Sequence, residues 1–229
     1  MKKIIYIIFL LSISINAQNT TEPSKATSKK YLEDQFYIGI TYNLLRNKPE
    51  NVELRGFSNS SFIGYIRDFP INKKRNIGFG LGLGYTHTSY FNNMKISIID
   101  GQTHIGNFED IDIFDSNKLT YNAIDIPFEF RIRNSTYEKN KFFRLYLGFK
   151  LSYIFSYKAA YNLNNNHQTI KNFDYFNKLQ YGLTSSVGYG TWNGYVYYGL
   201  TPLFKNASFN GAENINMKAF KFGLMFYIL

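Results

Sequence analysis

The sequence predicts an all-β chain: an eight-stranded antiparallel transmembrane β-barrel with short periplasmic turns and longer extracellular loops. Three observations predict it. From Phe36 onward, bulky apolar residues recur at every second position in segment after segment, the period of strands with unlike faces. Aromatics make up 19% of the chain, with 22 Phe and 20 Tyr, as expected for a wall that meets lipid and carries aromatic girdles. The connections between the alternating segments are long and short by turns.

The N-terminal stretch sets the compartment. Met1-Lys2-Lys3 is a short cationic region, Ile4 to Ile15 is an almost unbroken apolar run, and Ala17 is a small residue at a cleavage point. Residues 1–17 therefore read as a secretory signal peptide, too short for a membrane-spanning helix. The chain contains no Cys, which excludes lipoprotein processing, a disulfide scaffold and thiolate metal sites. Residues 18–35, polar and rich in Thr, Ser and Lys, read as a flexible periplasmic lead-in, and 36–229 as the barrel. No later apolar run approaches the roughly 20 residues of a spanning helix, yet the aromatic load demands an apolar environment. The expected location is the outer membrane of a Gram-negative cell. The formal charge of +10 falls to about +8 without Lys2 and Lys3. The counter-charges available there are anionic lipid headgroups and lipopolysaccharide phosphates, and nucleic acid is not an expected partner.

Eight segments carry the alternation: Phe36–Leu45, Ser60–Phe69, Ile77–Tyr85, Leu119–Arg133, Phe143–Tyr157, Leu179–Gly190, Tyr195–Phe204 and the segment from Ala219 to Ile228. The third sets Ile77, Phe79, Leu81, Leu83 and Tyr85 against Gly78, Gly80, Gly82 and Gly84. Such glycines suit a curved wall whose lumen must hold the long side chains of neighbours. Strict alternation with no following helix is not a phosphate-binding glycine pattern. In the last segment Phe220, Phe222, Leu224, Phe226 and Ile228 share the outer face. With the N-terminus periplasmic, the connections Arg46–Asn59, Phe91–Lys118, Lys158–Lys178 and Lys205–Asn216 lie outside. The shorter Pro70–Asn76, Asn134–Lys141 and Thr191–Gly194 face the periplasm. A soluble β-sandwich has no reason to alternate in this way.

A barrel of eight strands is just wide enough for side chains to fill. The fourth segment sends Asp125, Pro127, Glu129, Arg131 and Arg133 inward, and the fifth sends Arg144, Tyr146, Gly148 and Lys150. Two hairpin registers are open. Arg133 beside Phe142 sets Asp125 across from Lys150, and a two-residue shift sets Glu129 across from Arg144. The expected lumen is a charge network of Asp125, Glu129, Arg131, Arg133, Arg144, Lys150 and Lys221. Unpaired ions in a narrow interior would cost several kcal/mol each. Such a network acts as a plug that fixes register, or as a path for ions or small solutes.

Catalytic and metal patterns are sparse. His87 lies near the outer rim, and His104 and His167 fall in external connections. Ser97, Asp100 and His104 are close in sequence and contain the residue types of an acyl-transfer site. The run Glu109-Asp110-Ile111-Asp112, with Asp115, offers oxygen ligands for Ca²⁺ but lacks the glycine turn and distal Glu of an EF-hand loop. Tyr85, Tyr90, Phe91, Trp192, Tyr195 and Tyr197 fall near segment ends, and a girdle role accounts for those on the lipid face. No catalytic residue, cofactor or metal ligand is assigned, and a lipid-modifying enzyme is the third-ranked reading.

The stretch Ala123-Ile124-Asp125-Ile126-Pro127-Phe128-Glu129-Phe130-Arg131, followed by Arg144-Leu145-Tyr146-Leu147-Gly148-Phe149-Lys150-Leu151-Ser152-Tyr153, resembles the PorT-like outer-membrane barrel family. There an I-P-x-x-[FL]-[RK] strand precedes a Gly-centred Y-x-G-x-K-x-[GS]-Y strand. The namesake of that family is an accessory of the type IX secretion apparatus. The resemblance implies a small barrel and a non-enzymatic structural or accessory role in the cell envelope, with envelope or secretion-machinery proteins as partners. It supplies no catalytic residues.

Overall fold

The computed structural model describes residues 35–108, 114–134, 143–163 and 166–228. The segments assigned to the signal peptide and most of the lead-in lie outside them, as does the acidic run Glu109–Asp112. Gln35, placed in the lead-in from the sequence, instead belongs to the first strand, where it is buried.

Thirteen strands follow one another, with no helix among the described residues: β1 Gln35–Arg46, β2 Asn59–Pro70, β3 Ile77–Phe91, β4 Met94–Ile99, β5 Gln102–Asn107, β6 Phe114–Arg133, β7 Phe143–Leu163, β8 Asn166–Lys171, β9 Leu179–Tyr189, β10 Trp192–Pro202, β11 Ser208–Phe209, β12 Glu213–Asn214 and β13 Lys218–Ile228. Eight of them, β1, β2, β3, β6, β7, β9, β10 and β13, pair in that order. β13 then pairs with β1, so the antiparallel sheet closes on itself. Closure leaves no open edge in the wall, which lipid demands because nothing in hydrocarbon can satisfy a free N–H or C=O.

The faces follow the period-two pattern. Ile124, Ile126, Phe128 and Ile132 of β6, and Leu147, Phe149 and Tyr153 of β7, are exposed on the outer wall. Their alternating neighbours Asp125, Glu129, Arg131, Arg133, Arg144, Tyr146 and Lys150 are buried inside. Glycine makes this packing possible in the β2–β3 wall. Tyr37 stands opposite Gly64, which stands opposite Gly84, and a Cβ at either glycine would collide with the Tyr37 hydroxyl. Gly84→Ala would also bring a methyl within 3.1 Å of the Ile63 carbonyl oxygen. It is expected to destabilise the barrel by about 1–3 kcal/mol, the usual penalty of overpacking. Tyr37→Phe should recover part of that loss, read as urea midpoints from the fluorescence of Trp192, the single Trp.

The extracellular connections, expected as loops, instead build a cap. β3, β6 and β7 run on past the predicted strand ends at Tyr85, Leu119 and Tyr157. β8 adds to the free edge of β7, and β4, β5, β11 and β12 form a separate four-stranded sheet. Met94, Ile96, Ile105 and Phe209 of that sheet pack with Leu45, Tyr90, Leu119, Ile154, Phe173, Phe176, Leu203, Phe204 and Met217 into one buried apolar cluster. The rings of Tyr157 and Phe176 stack at 4.6 Å. A second, smaller cluster, including Tyr37, Phe62, Ile66, Tyr195 and Met225, lies inside the barrel proper.

Two irregularities adjust the wall. Phe155 is an extra residue on β7 opposite the Asn122–Ala123 step, and the β10–β13 ladder breaks between Tyr198 and Pro202. At the second break the Arg46 guanidinium lies 3.6 Å over the Tyr198 ring. It donates to the Tyr198 hydroxyl at 2.5 Å and to the Gly199 carbonyl at 2.9 Å, serving backbone that the ladder leaves open.

Candidate functional site

The lumen is the most chemically distinctive region, and its charges fall into separate groups along the axis. At the periplasmic end Asp68 of β2 accepts two bonds from Arg133, Nη1 at 3.0 Å and Nη2 at 2.5 Å, and one from Arg131 Nη1 at 3.3 Å. Arg131 Nε donates to Glu129 at 3.1 Å, and its guanidinium lies 4.7 Å over the Tyr146 ring. Tyr227 packs edge-on against Tyr146 and donates to Glu129 at 3.5 Å. Arg144 lies 5.7 Å over the Tyr227 ring.

β6 and β2 are not neighbours, since β3 lies between them. Arg131 reaches Asp68 because Gly80, paired with Asp68 on one side and Glu129 on the other, leaves the path open. A Cβ there would come within 2.7 Å of Arg131 Nε. Gly80 is thus a passage for the Arg131 guanidinium, as Gly84 is a seat for the Tyr37 ring.

The middle group centres on Asp125. Its carboxylate accepts from Lys150 Nζ at 3.1 Å, Ser152 Oγ at 2.5 Å and Thr86 Oγ1 at 2.5 Å. Lys150 Nζ also lies 4.9 Å from the centre of the Tyr197 ring. Neither hairpin register anticipated from the sequence forms. Arg133 pairs with Arg144, which sets Asp125 opposite Ser152, Pro127 opposite Lys150 and Glu129 opposite Gly148. Asp125 meets Lys150 on the diagonal, a separation that long side chains span. Arg133 and Arg144 are like charges directly opposite, normally unfavourable. The Asp68 carboxylate and the Tyr227 ring offset this.

Above them Lys221 Nζ is held by three neutral oxygens: Thr88 Oγ1 at 3.0 Å, Ser60 Oγ at 3.1 Å and the Tyr121 hydroxyl at 3.3 Å. Ser60 is tied in turn to Asn43 and Thr88, both at 2.9 Å. The apolar cluster of the cap then covers the extracellular mouth. The spaces left beside Asp125 and Lys150 are about 20 Å³ and 10 Å³, the larger about one water molecule.

All seven residues singled out in the lumen point inward. Asp125 joins Lys150, Glu129 joins Arg131, Arg133 binds an acid from another strand, Arg144 rests on a ring, and Lys221 sits among hydroxyls. Sequence reasoning missed Asp68. The available signal was its position on the face of β2 that carries Ser60, Phe62 and Ile66.

Other expectations are redistributed. Tyr85 and Trp192 are exposed on the outer wall, but Tyr90, Tyr195 and Tyr197 turn inward and are buried, so they are not girdle residues. His87 is bonded to Asn122 at 2.8 Å, and His167 to Asn162 at 2.8 Å. Ser97 and His104 are cross-strand partners on the β4–β5 hairpin with Asp100 at its tip, and no hydrogen bond joins the three among the described residues. Among the described residues no group of three or more His, Asp or Glu side chains gathers as a metal site.

A closed meander of eight antiparallel strands, apolar outside and charged within, defines the class of small outer-membrane β-barrels. Residues 16–205 match the family described as outer membrane protein beta-barrel domain, and the chain belongs to it. The protein is accordingly located in the outer membrane. Among solved structures it is similar to Ail, the attachment invasion locus protein of Yersinia pestis, at 12% identity and a TM-score of 0.40. That match covers 85% of this chain and 97% of Ail. No curated protein matches the sequence.

Proposed function

We propose that the protein is a non-enzymatic envelope component, a closed scaffold that holds a folded platform at the cell surface. The carrying observation is the filling of the lumen. Three groups of buried polar side chains occupy successive levels, and an apolar cluster lies over the outer mouth. A conduit would need a continuous wet path, which this packing opposes. Reconstituted into planar bilayers, the protein is expected to give no steady single-channel current. A sustained, reproducible conductance would overturn the scaffold reading in favour of the ion or solute conduit.

The finer role follows the PorT-like hairpin, whose Pro127 and Gly148 both lie on the lumen face. It points to an accessory association with type IX secretion. Co-purification from detergent-solubilised outer membrane should enrich secretion or envelope-assembly proteins, and recovery of the barrel alone would remove that association. Lipopolysaccharide is the proposed lipid partner. Lys118, Lys158, Lys171, Lys178, Lys205 and Lys218 all lie toward the extracellular end, where phosphates are the nearest counter-charges. Against a lipid-modifying enzyme, joint replacement of His87, His104 and His167 should leave the cellular phenotype intact.

A further inference from the structure

The four-stranded sheet of the cap has two unlike faces. One carries Met94, Ile96, Ile105 and Phe209 into the apolar cluster. The other, with two neighbouring loops, lines a cleft of about 610 Å³. β4 and β5 contribute Lys95, Ser97, Gln102 and His104; the loop before β9 contributes Tyr175; and the segment after β10 contributes Asn206 and Asn210. This is the size range of small-molecule sites.

Its chemistry is specific. Among the described residues the lining holds amides, hydroxyls, one imidazole and one ammonium beside the apolar Ile99 and Ile105, and no carboxylate. The side chains of Ser97, Gln102, His104 and Asn206 have no hydrogen-bond partner among the described residues, and the last three are exposed, so they present donors and acceptors to the cleft. Tyr175, which lines the cleft, is 44% exposed as a residue.

The cleft is also pre-shaped. Tyr175 has a φ of 68°, in the left-handed region that costs an ordinary side chain about 1–2 kcal/mol, and Asn206 and Asn210, of a residue type that adopts this region readily, have φ of 54° and 51°. Hydrogen bonds hold Tyr175 and Asn210 there. The Lys205 amide donates to the Tyr175 carbonyl at 2.7 Å, and the Asn210 amide donates to the Ile105 carbonyl at 2.9 Å. The Asn210 carboxamide oxygen accepts from the Asn107 amide at 3.2 Å, in space that a side chain at Gly106 would fill. Strain of this kind persists where surrounding structure over-determines it, and it gathers at ligand clamps.

From this we infer that the cleft binds a short oligosaccharide. Sugar hydroxyls match a wall of amides and hydroxyls in which each group can donate or accept, and the apolar face of a pyranose ring stacks on Tyr175. A phosphorylated ligand would require more cations, and a metal ion more carboxylates, than the described lining offers. The inference rests on the extracellular placement of the cap, and it holds whether or not the barrel assists secretion.

The test uses the full-length protein in nanodiscs and two sets of probes: an array of neutral and N-acetylated oligosaccharides, and purified O-chain polysaccharide from the cell's own lipopolysaccharide. Saturable binding is expected to at least one probe. Array binding alone identifies foreign glycans, and O-chain binding identifies the cell's own surface. Tyr175→Ala should weaken binding about tenfold through loss of the stacking ring. Asn206→Gly, which accepts the positive φ, should weaken it severalfold, with the urea midpoint of both variants near that of the parent. No saturable binding to either set, or binding unchanged in the Tyr175→Ala, Asn206→Gly double variant, would overturn the inference. Bilayer conductance is read separately, so failure here is distinguishable from failure of the scaffold reading.

Discussion

Asp68→Ala is expected to lower the free energy of unfolding by about 3–5 kcal/mol, the loss typical when one member of a buried ion pair is removed. Asp68 receives bonds from two guanidinium groups, and the side chains of all three residues are fully buried. Its loss strips Arg133 of a bidentate partner and leaves Glu129 as the described acid beside Arg131. Arg133 would then face Arg144 across the hairpin without the carboxylate that offsets their repulsion. Asp68→Asn keeps the shape and one acceptor while removing the charge, so it should recover only a minor share of the loss. Urea unfolding of the refolded barrel in phospholipid vesicles measures both variants. A midpoint for Asp68→Ala equivalent to a loss below about 1 kcal/mol would show that the cluster contributes no net stability, as buried ion pairs sometimes do not.

The second large effect is at Asp125. Removing its carboxylate orphans Lys150, which is 8% exposed, together with the hydroxyls of Ser152 and Thr86. Asp125→Ala is expected to cost about 3–5 kcal/mol, and adding Lys150→Ala should restore part of it because no lone charge then remains. Restoration is incomplete because the two hydroxyls still lack their acceptor and the Tyr197 face loses its cation. If the loss in the double variant equals the sum of the losses in Asp125→Ala and Lys150→Ala measured separately, the two residues are not coupled. An altered ion selectivity without altered stability would instead mark Asp125 as part of a conducting path.

Strand identity and facing were legible in the sequence because lipid outside and a filled lumen inside impose opposite preferences on successive residues. Pairing register was less so. A shift of two residues preserves every inward and outward assignment, so alternation cannot separate Asp125 opposite Lys150 from Asp125 opposite Ser152. Asp68 escaped because its partners lie two strands away, across a glycine that is itself silent about what passes over it. The cap was illegible for another reason. Val52, Met94, Ile96, Ile105, Phe173, Phe209 and Met217 are scattered through short segments, and they form a core only when four separate connections meet. The oligosaccharide cleft draws on three of those connections, so no single stretch announces it.

The pairing of β1 with β13 has a kinetic consequence. Seven of the eight wall contacts join strands that follow one another around the meander, and each can form soon after both strands are available. The eighth joins Phe36 to Ile228 and Arg46 to Lys218, through eleven residue pairs that bring together nearly the two ends of the described chain. Contacts of such sequence separation are slow to form, and until this one forms two strand edges remain unpaired and open to other chains. Lys221 lies on the closing strand, and its ammonium crosses the lumen to Ser60, Thr88 and Tyr121 on three strands that assemble without it. Those bonds become available only after the seam meets. Lys221 therefore acts as a latch, strengthening the finished ring without speeding its assembly, so its removal would quicken opening more than it slowed closing.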